Sequence, residues 1–68
     1  MKIDIYLGER GGPHDYMSEY VVSAIPRIGE HLTFNDAEDP EHLYEVWEVH
    51  HRFAGEEIPP EVRVYVSF

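Results

Sequence analysis

The chain alternates short stretches in which every second residue is apolar with gaps rich in Gly, Pro and acids, and this two-residue period predicts strands. In Lys2–Leu7, Ile3, Ile5 and Leu7 share one face, while Lys2, Asp4 and Tyr6 share the other. In Val62–Phe68 the split is cleaner: Val62, Val64, Val66 and Phe68 against Arg63, Tyr65 and Ser67. Tyr16–Ile25 carries apolar groups on both parities, as expected of a strand covered on both sides or bulged midway, and Pro26 ends it. A short strand, His31–Phe34, is expected to point Ile28, Leu32 and Phe34 inward.

The longest strand-forming run is His42–Phe53, which holds the single tryptophan and is read as the central strand. Its apolar positions change parity midway. A bulge around Trp47-Glu48 puts Tyr44, Val46, Val49 and His51 on one face. Without a bulge, Leu43, Trp47, Val49, His51 and Phe53 face inward, with Glu45 among them. The bulged reading is preferred, because a small barrel needs such kinks to curve.

The gaps are turns and charged loops. Gly8–Pro13 contains three glycines and a proline and lacks both phosphate-binding glycine patterns. In Ile25–Glu30, Pro26 pre-sets one dihedral and Gly29 can take a positive φ, a reversal expected to make the second and third strands neighbours. Asn35–Glu41 has four acids and no base, without the calcium-loop spacing or its glycine. Asp39-Pro40-Glu41-His42 suits a single helical turn with Pro40 at its first position. Ala54–Glu61 is a second acidic loop, kept extended by Pro59 and Pro60.

In chain order, Ile25-Pro26-Arg27-Ile28-Gly29-Glu30, a short strand, an acidic gap, Tyr44-Glu45-Val46-Trp47-Glu48-Val49-His50-His51, another gap and Val62-Arg63-Val64-Tyr65-Val66 follow one another. This resembles a class of small bacterial and phage proteins in which a P-R-x-G-[DE] turn precedes a strand and a Y-x-V-x-x-V-x-H stretch follows. The resemblance covers about residues 20–68. It implies an all-β fold, a small five-stranded antiparallel SH3-like, partly open barrel, and it transfers no catalytic residue. Residues 1–68 are expected to form that one domain.

Composition sharpens the picture. The chain has no cysteine, so neither disulfides nor thiolate metal sites are available. No apolar run approaches the roughly 20 residues of a membrane span, and Met1–Asp4 does not open a signal peptide, so a cytoplasmic address is expected. The formal net charge is −9. Residues 1–35 hold five acids and three bases, residues 36–68 nine acids and two bases, so −7 of the charge falls in the second half. Nucleic-acid backbones and anionic membranes are disfavoured as partners unless Arg27, Arg52 and Arg63 converge. A basic protein surface, or a cation, is the partner that electrostatics permits.

Reactive chemistry finds little support. The serines lie within expected strands, away from any nucleophile elbow, and no enzyme activity is expected. Five histidines invite a metal reading, but only Glu48 and His50 share a face at close spacing, and no metal or other cofactor is expected. Tyr6, Trp47 and Tyr65 fall on the parity opposite the core, where aromatic residues make good anchors. The sequence therefore predicts a non-enzymatic interaction module that meets a basic partner through Asp36, Glu38, Asp39, Glu41, Glu45, Trp47 and Glu48. A phage-type inhibitor mimicking nucleic-acid charge, a His/carboxylate domain binding a metal or small ligand, and a homo-oligomer formed through strand edges are the competing readings.

Overall fold

A computed structural model describes all residues, 1–68. It contains five strands and no helix: β1 (Lys2–Gly8), β2 (His14–Val21), β3 (His31–Leu32), β4 (Tyr44–Arg52) and β5 (Glu61–Ser67). They form one mixed sheet in the order β2-β1-β5-β4-β3. Three pairings are antiparallel, whereas β1 and β5 run parallel, with Ile5 opposite Val64. The result is an open half-barrel, compatible with a small SH3-like barrel.

Two of the expectations about arrangement need correction. The tryptophan strand β4 is not central. That place belongs to β5, whose Val62, Val64 and Val66 are all buried and which has a full strand on either side. Nor do the second and third strands meet, because β2 and β3 occupy opposite edges of the sheet. The turn between them is as expected, with Gly29 at φ +93° and the Glu30 amide donating to the Arg27 carbonyl. It hands the chain to β4 instead: the Gly29 amide donates to the Val46 carbonyl, and the Val46 amide donates to that of Glu30.

Two bulges curl the sheet. In β2 Met17 is the extra residue between the Ile5–Ser18 and Tyr6–Tyr16 pairs. In β4 Trp47 is the extra residue between the Val46–Val66 and Glu48–Tyr65 pairs. Each adds local bend and twist. The bulge in β4 has the expected effect on facing, with Tyr44 and Val46 buried and Val49 packed against the core.

The core lies wholly on the concave side. It consists of Ile3, Ile5, Phe34, Tyr44, Val46, Val62, Val64 and Val66, with Tyr20, Val22, Ile25, Leu32 and Ala37 packed against it from the edges and loops. Two residues expected inside are not: Ile28 is 63% exposed on the turn, and Phe68 is 81% exposed beyond the end of β5. Phe68 instead lays its ring on His42, with 4.1 Å between centroids. Because β2 and β3 never close the barrel, the accessible surface of 5071 Å2 exceeds the about 4450 Å2 of a compact monomer of this mass. No helix is long and apolar enough to cross a membrane.

A chain of this size holds only about 3–5 kcal/mol of stability in its core. Val64→Ala, at a fully buried site on the middle strand, should therefore cost about 2–3 kcal/mol. Val21→Ala, at a residue 76% exposed on the β2 edge, should stay within about 0.5 kcal/mol. Urea denaturation of both variants checks the pair, and similar midpoints would contradict a one-sided core.

Candidate functional site: the convex aromatic face

Pairing and alternation decide what the convex side carries. Tyr16 of β2 stands opposite Tyr6 of β1, Tyr6 opposite Tyr65 of β5, and Tyr65 opposite the bulge of β4. The four aromatic side chains therefore form a row across four strands. Ring centroids are 5.4 Å apart for Tyr16–Tyr6, 5.3 Å for Tyr6–Tyr65 and 5.5 Å for Tyr65–Trp47. These separations are within the range of favourable aromatic pairing. None of these rings belongs to the core cluster.

Gly8 is where the far end of the row is locked. Its carbonyl accepts a 2.8 Å hydrogen bond from the Trp47 indole N–H, which reaches across β5 to β1. His14, paired with Gly8 on β2, turns inward over the same place and contacts Tyr65 at 5.0 Å and Trp47 at 5.4 Å. A side chain at position 8 would exclude this arrangement, since a Cβ there would lie 2.5 Å from the Pro13 carbonyl oxygen and 2.7 Å from His14 Cδ2. Tyr6, Tyr65 and Trp47 are thus half-buried by one another, and Tyr16 is the open end at 55% exposure.

Basic residues gather on this same face. Arg63 sits over Tyr6 at 5.5 Å and donates from Nε to Glu61 at 2.7 Å. That hydrogen bond holds the Glu61 carboxyl below its usual range and pushes the Arg63 guanidinium further up. Arg10, from the glycine-rich loop, sits over Trp47 at 5.5 Å and donates to the Trp47 carbonyl at 3.3 Å. Arg52 stands opposite Glu61 in the strand register and Lys2 reaches Glu19 at 3.9 Å, both on the convex parity. Arg27, Arg52 and Arg63 do not form one basic patch: Arg27 lies on the turn bonded to Val46, Arg52 stands at the far end of β4, and Arg63 is paired with Glu61. At the open end, desolvation and then the Asp4 carboxylate raise the Tyr16 pKa.

The seven residues expected to meet a partner fall into two groups on opposite sides of the sheet. Glu45, Trp47 and Glu48 lie on the convex face of β4. Asp36, Glu38, Asp39 and Glu41 lie in the β3–β4 loop, on the concave side. There the Asp36 carboxylate accepts from the Tyr20 hydroxyl at 2.9 Å, and Tyr20 packs on the core. The expected helical turn at Asp39 is a simple turn instead, closed by the His42 amide on the Asp39 carbonyl, while the Asp39 carboxylate accepts from the Glu41 amide at 3.2 Å. Among the six carboxylates of the seven, only that of Glu45 has a basic side-chain nitrogen within 4 Å, His31 Nε2 at 3.8 Å.

Sequence reasoning missed Arg10, Gly8 and His14, all in or beside a segment that reads as a turn. The signal was the parity of Gly8, a convex position that needed no side chain. Two concavities flank the sheet. One, of about 450 Å3, is the mouth of the unclosed barrel, between Tyr20, Val22, Pro26, Leu32 and Phe34. The other, of about 440 Å3, lies on the aromatic face between His14, Trp47, Glu48, His50 and Tyr65. Glu48 and His50 share that face as expected, and no group of three or more His, Asp or Glu side chains is placed to hold a metal ion.

Gly8→Ala should cost about 1–3 kcal/mol through forced overpacking and shift the Trp47 emission to longer wavelength; unchanged stability and emission would contradict the lock at Gly8. Tyr20 gives a pH test. Desolvation first, and then the Asp36 hydrogen bond, raise its pKa above 10.0. Folding therefore favours the neutral phenol. The associated stability is complete below the unfolded phenol's pKa and is lost as pH rises through the folded value. Denaturation midpoints should fall above about pH 10, and fall less steeply in Tyr20→Phe. An unchanged alkaline slope in that variant would remove Tyr20 as the source.

Comparison with protein-family models, with curated proteins and with solved structures finds no match to this chain.

Proposed function

We propose that the protein is a non-enzymatic protein-interaction module that presents an acidic surface to a basic partner protein. The observation that carries this reading is how the charges are sorted. Four of the five Lys and Arg residues (Lys2, Arg10, Arg52 and Arg63) lie on or over the convex face, where aromatic rings or carboxylates hold Lys2, Arg10 and Arg63. Asp36, Glu38, Asp39 and Glu41 have no cation within 4 Å, and neither do Glu56 and Glu57 of the β4–β5 loop. Such a surface attracts and orients a cationic protein and repels nucleic acid.

The loop is also held in place, which lowers the entropy cost of binding. Asp36 is tied to Tyr20, and Ala37 packs on the core while its amide donates to the Phe34 carbonyl. The acids are therefore displayed from a fixed edge of the half-barrel.

The test is capture from a cell lysate, with the captured protein then purified and its affinity measured. The partner is expected to be basic, and its affinity to fall about tenfold between 0.05 and 0.5 M salt as the Debye length shrinks. The variant Asp36→Asn/Glu38→Gln/Asp39→Asn/Glu41→Gln keeps the acceptor oxygens of the loop and removes its charge. It should lose at least as much. An acidic or neutral partner, or one indifferent to both salt and the variant, would overturn the reading.

A further inference from the structure

The convex face repeats one arrangement, and in one copy of it the carboxylate has no cation. At Tyr6 an aromatic ring, a carboxylate and a guanidinium come together: Arg63 lies 5.5 Å from the ring centroid and 2.7 Å from Glu61. Beyond Tyr65 the row presents the same elements, but there the guanidinium on the ring, that of Arg10, bonds to the Trp47 carbonyl and leaves the carboxylate without a partner. Trp47, Tyr65 and His14 form aromatic walls, and Glu48 stands beside them in a concavity of about 440 Å3. The Glu48 carboxylate has no cation within 4 Å and takes part in no side-chain hydrogen bond. The indole is already shown to hold a guanidinium, since Arg10 lies 5.5 Å from its centroid without lining the concavity.

We propose that this concavity is a recognition site for an arginine side chain of the partner, stacked on Trp47 and Tyr65 and paired with Glu48. This inference rests on the reading of the partner as a basic protein and names the side chain that its convex face takes. A cation within about 6 Å of a Trp or Tyr centroid is attracted by the ring's negative face. Arginine fits better than lysine, because its planar guanidinium stacks on rings and pairs with a carboxylate at the same time. The bulge makes the site, since the extra residue in β4 brings both Trp47 and Glu48 to the convex side against the single residue Tyr65. The walls are also prepared in advance. Trp47 is fixed by Gly8, and His14 is fixed by its contacts with Tyr65 and Trp47 and by its ring nitrogen 3.2 Å from the Glu9 carbonyl oxygen.

Three blocked peptides, acetyl-Gly-X-Gly-amide with X as arginine, lysine or citrulline, test the site by NMR titration at pH 8. Citrulline keeps the shape of arginine and removes its charge. The arginine peptide should shift the Trp47 indole resonance and those of Glu48 and Tyr65, with millimolar affinity. Lysine should bind several-fold more weakly and citrulline at least tenfold more weakly. Glu48→Gln should weaken the arginine peptide about fivefold, whereas Asp15→Asn, on the opposite parity of β2 beside Leu7, should leave its affinity unchanged. Equal midpoints for arginine and citrulline, or no movement of the Trp47 indole, would overturn the site. The loop variant separates this inference from the reading beneath it. If partner capture depends on the loop acids while arginine fails to bind, only the convex site is wrong. If arginine binds here while the captured partner proves neutral or acidic, the site stands and the charge-based reading falls.

Discussion

One extra residue in β4 sets the character of this molecule. A regular strand would have to choose between burying Tyr44 and Val46 and burying Val49, because side chains alternate strictly. Inserting Trp47 between the Val46–Val66 and Glu48–Tyr65 pairs lets all three face the core. The same insertion delivers the indole and the Glu48 carboxylate together to the opposite side. Core packing and the placement of Trp47 and Glu48 on the convex face are therefore two results of one backbone irregularity.

The sheet is consequently a layer with two unlike faces. On the concave side aliphatic residues pack beneath loops that stand in for the missing closure between β2 and β3. On the convex side the rings of Tyr16, Tyr6, Tyr65 and Trp47 shield one another, and guanidinium groups cap them. That second layer is thin and open to water, yet its contacts join β2, β1, β5 and β4 crosswise. It gives a half-barrel with only eight buried residues a second set of ties between strands. A face built this way is partly apolar while still presenting charge.

Much of this was legible in the residues. The alternation of Ile3, Ile5, Val62, Val64 and Val66 gave their facing directly, and the parity change between Val46 and Val49 gave the bulge. The outward parity of Tyr6, Tyr65 and Trp47 was legible for the same reason. Strand order was not, since alternation is a local property and says nothing about which strand lies beside which. Thus the aromatic run of β4 looked central, although β5 holds that place, and the Pro26–Gly29 turn looked like a hairpin between β2 and β3. The separation of Asp36 from Glu48 was hidden likewise, because the two lie close in sequence and a sheet divides them. Gly8 was read as punctuation, since the need for a glycine there comes from a contact with Trp47, 39 residues away, and His14 was weighed only as one of five histidines for metal binding.

The most direct measurement of the central claim is a set of through-space proton contacts around Trp47 in solution by NMR. The indole N–H and ring protons should lie close to His14, Tyr65 and Gly8, while the methyl groups of Val46 and Val49 contact the β5 valines. Indole contacts to Val64 and Val66 instead would mean that β4 runs without its bulge, and both the core and the convex site described here would be contradicted.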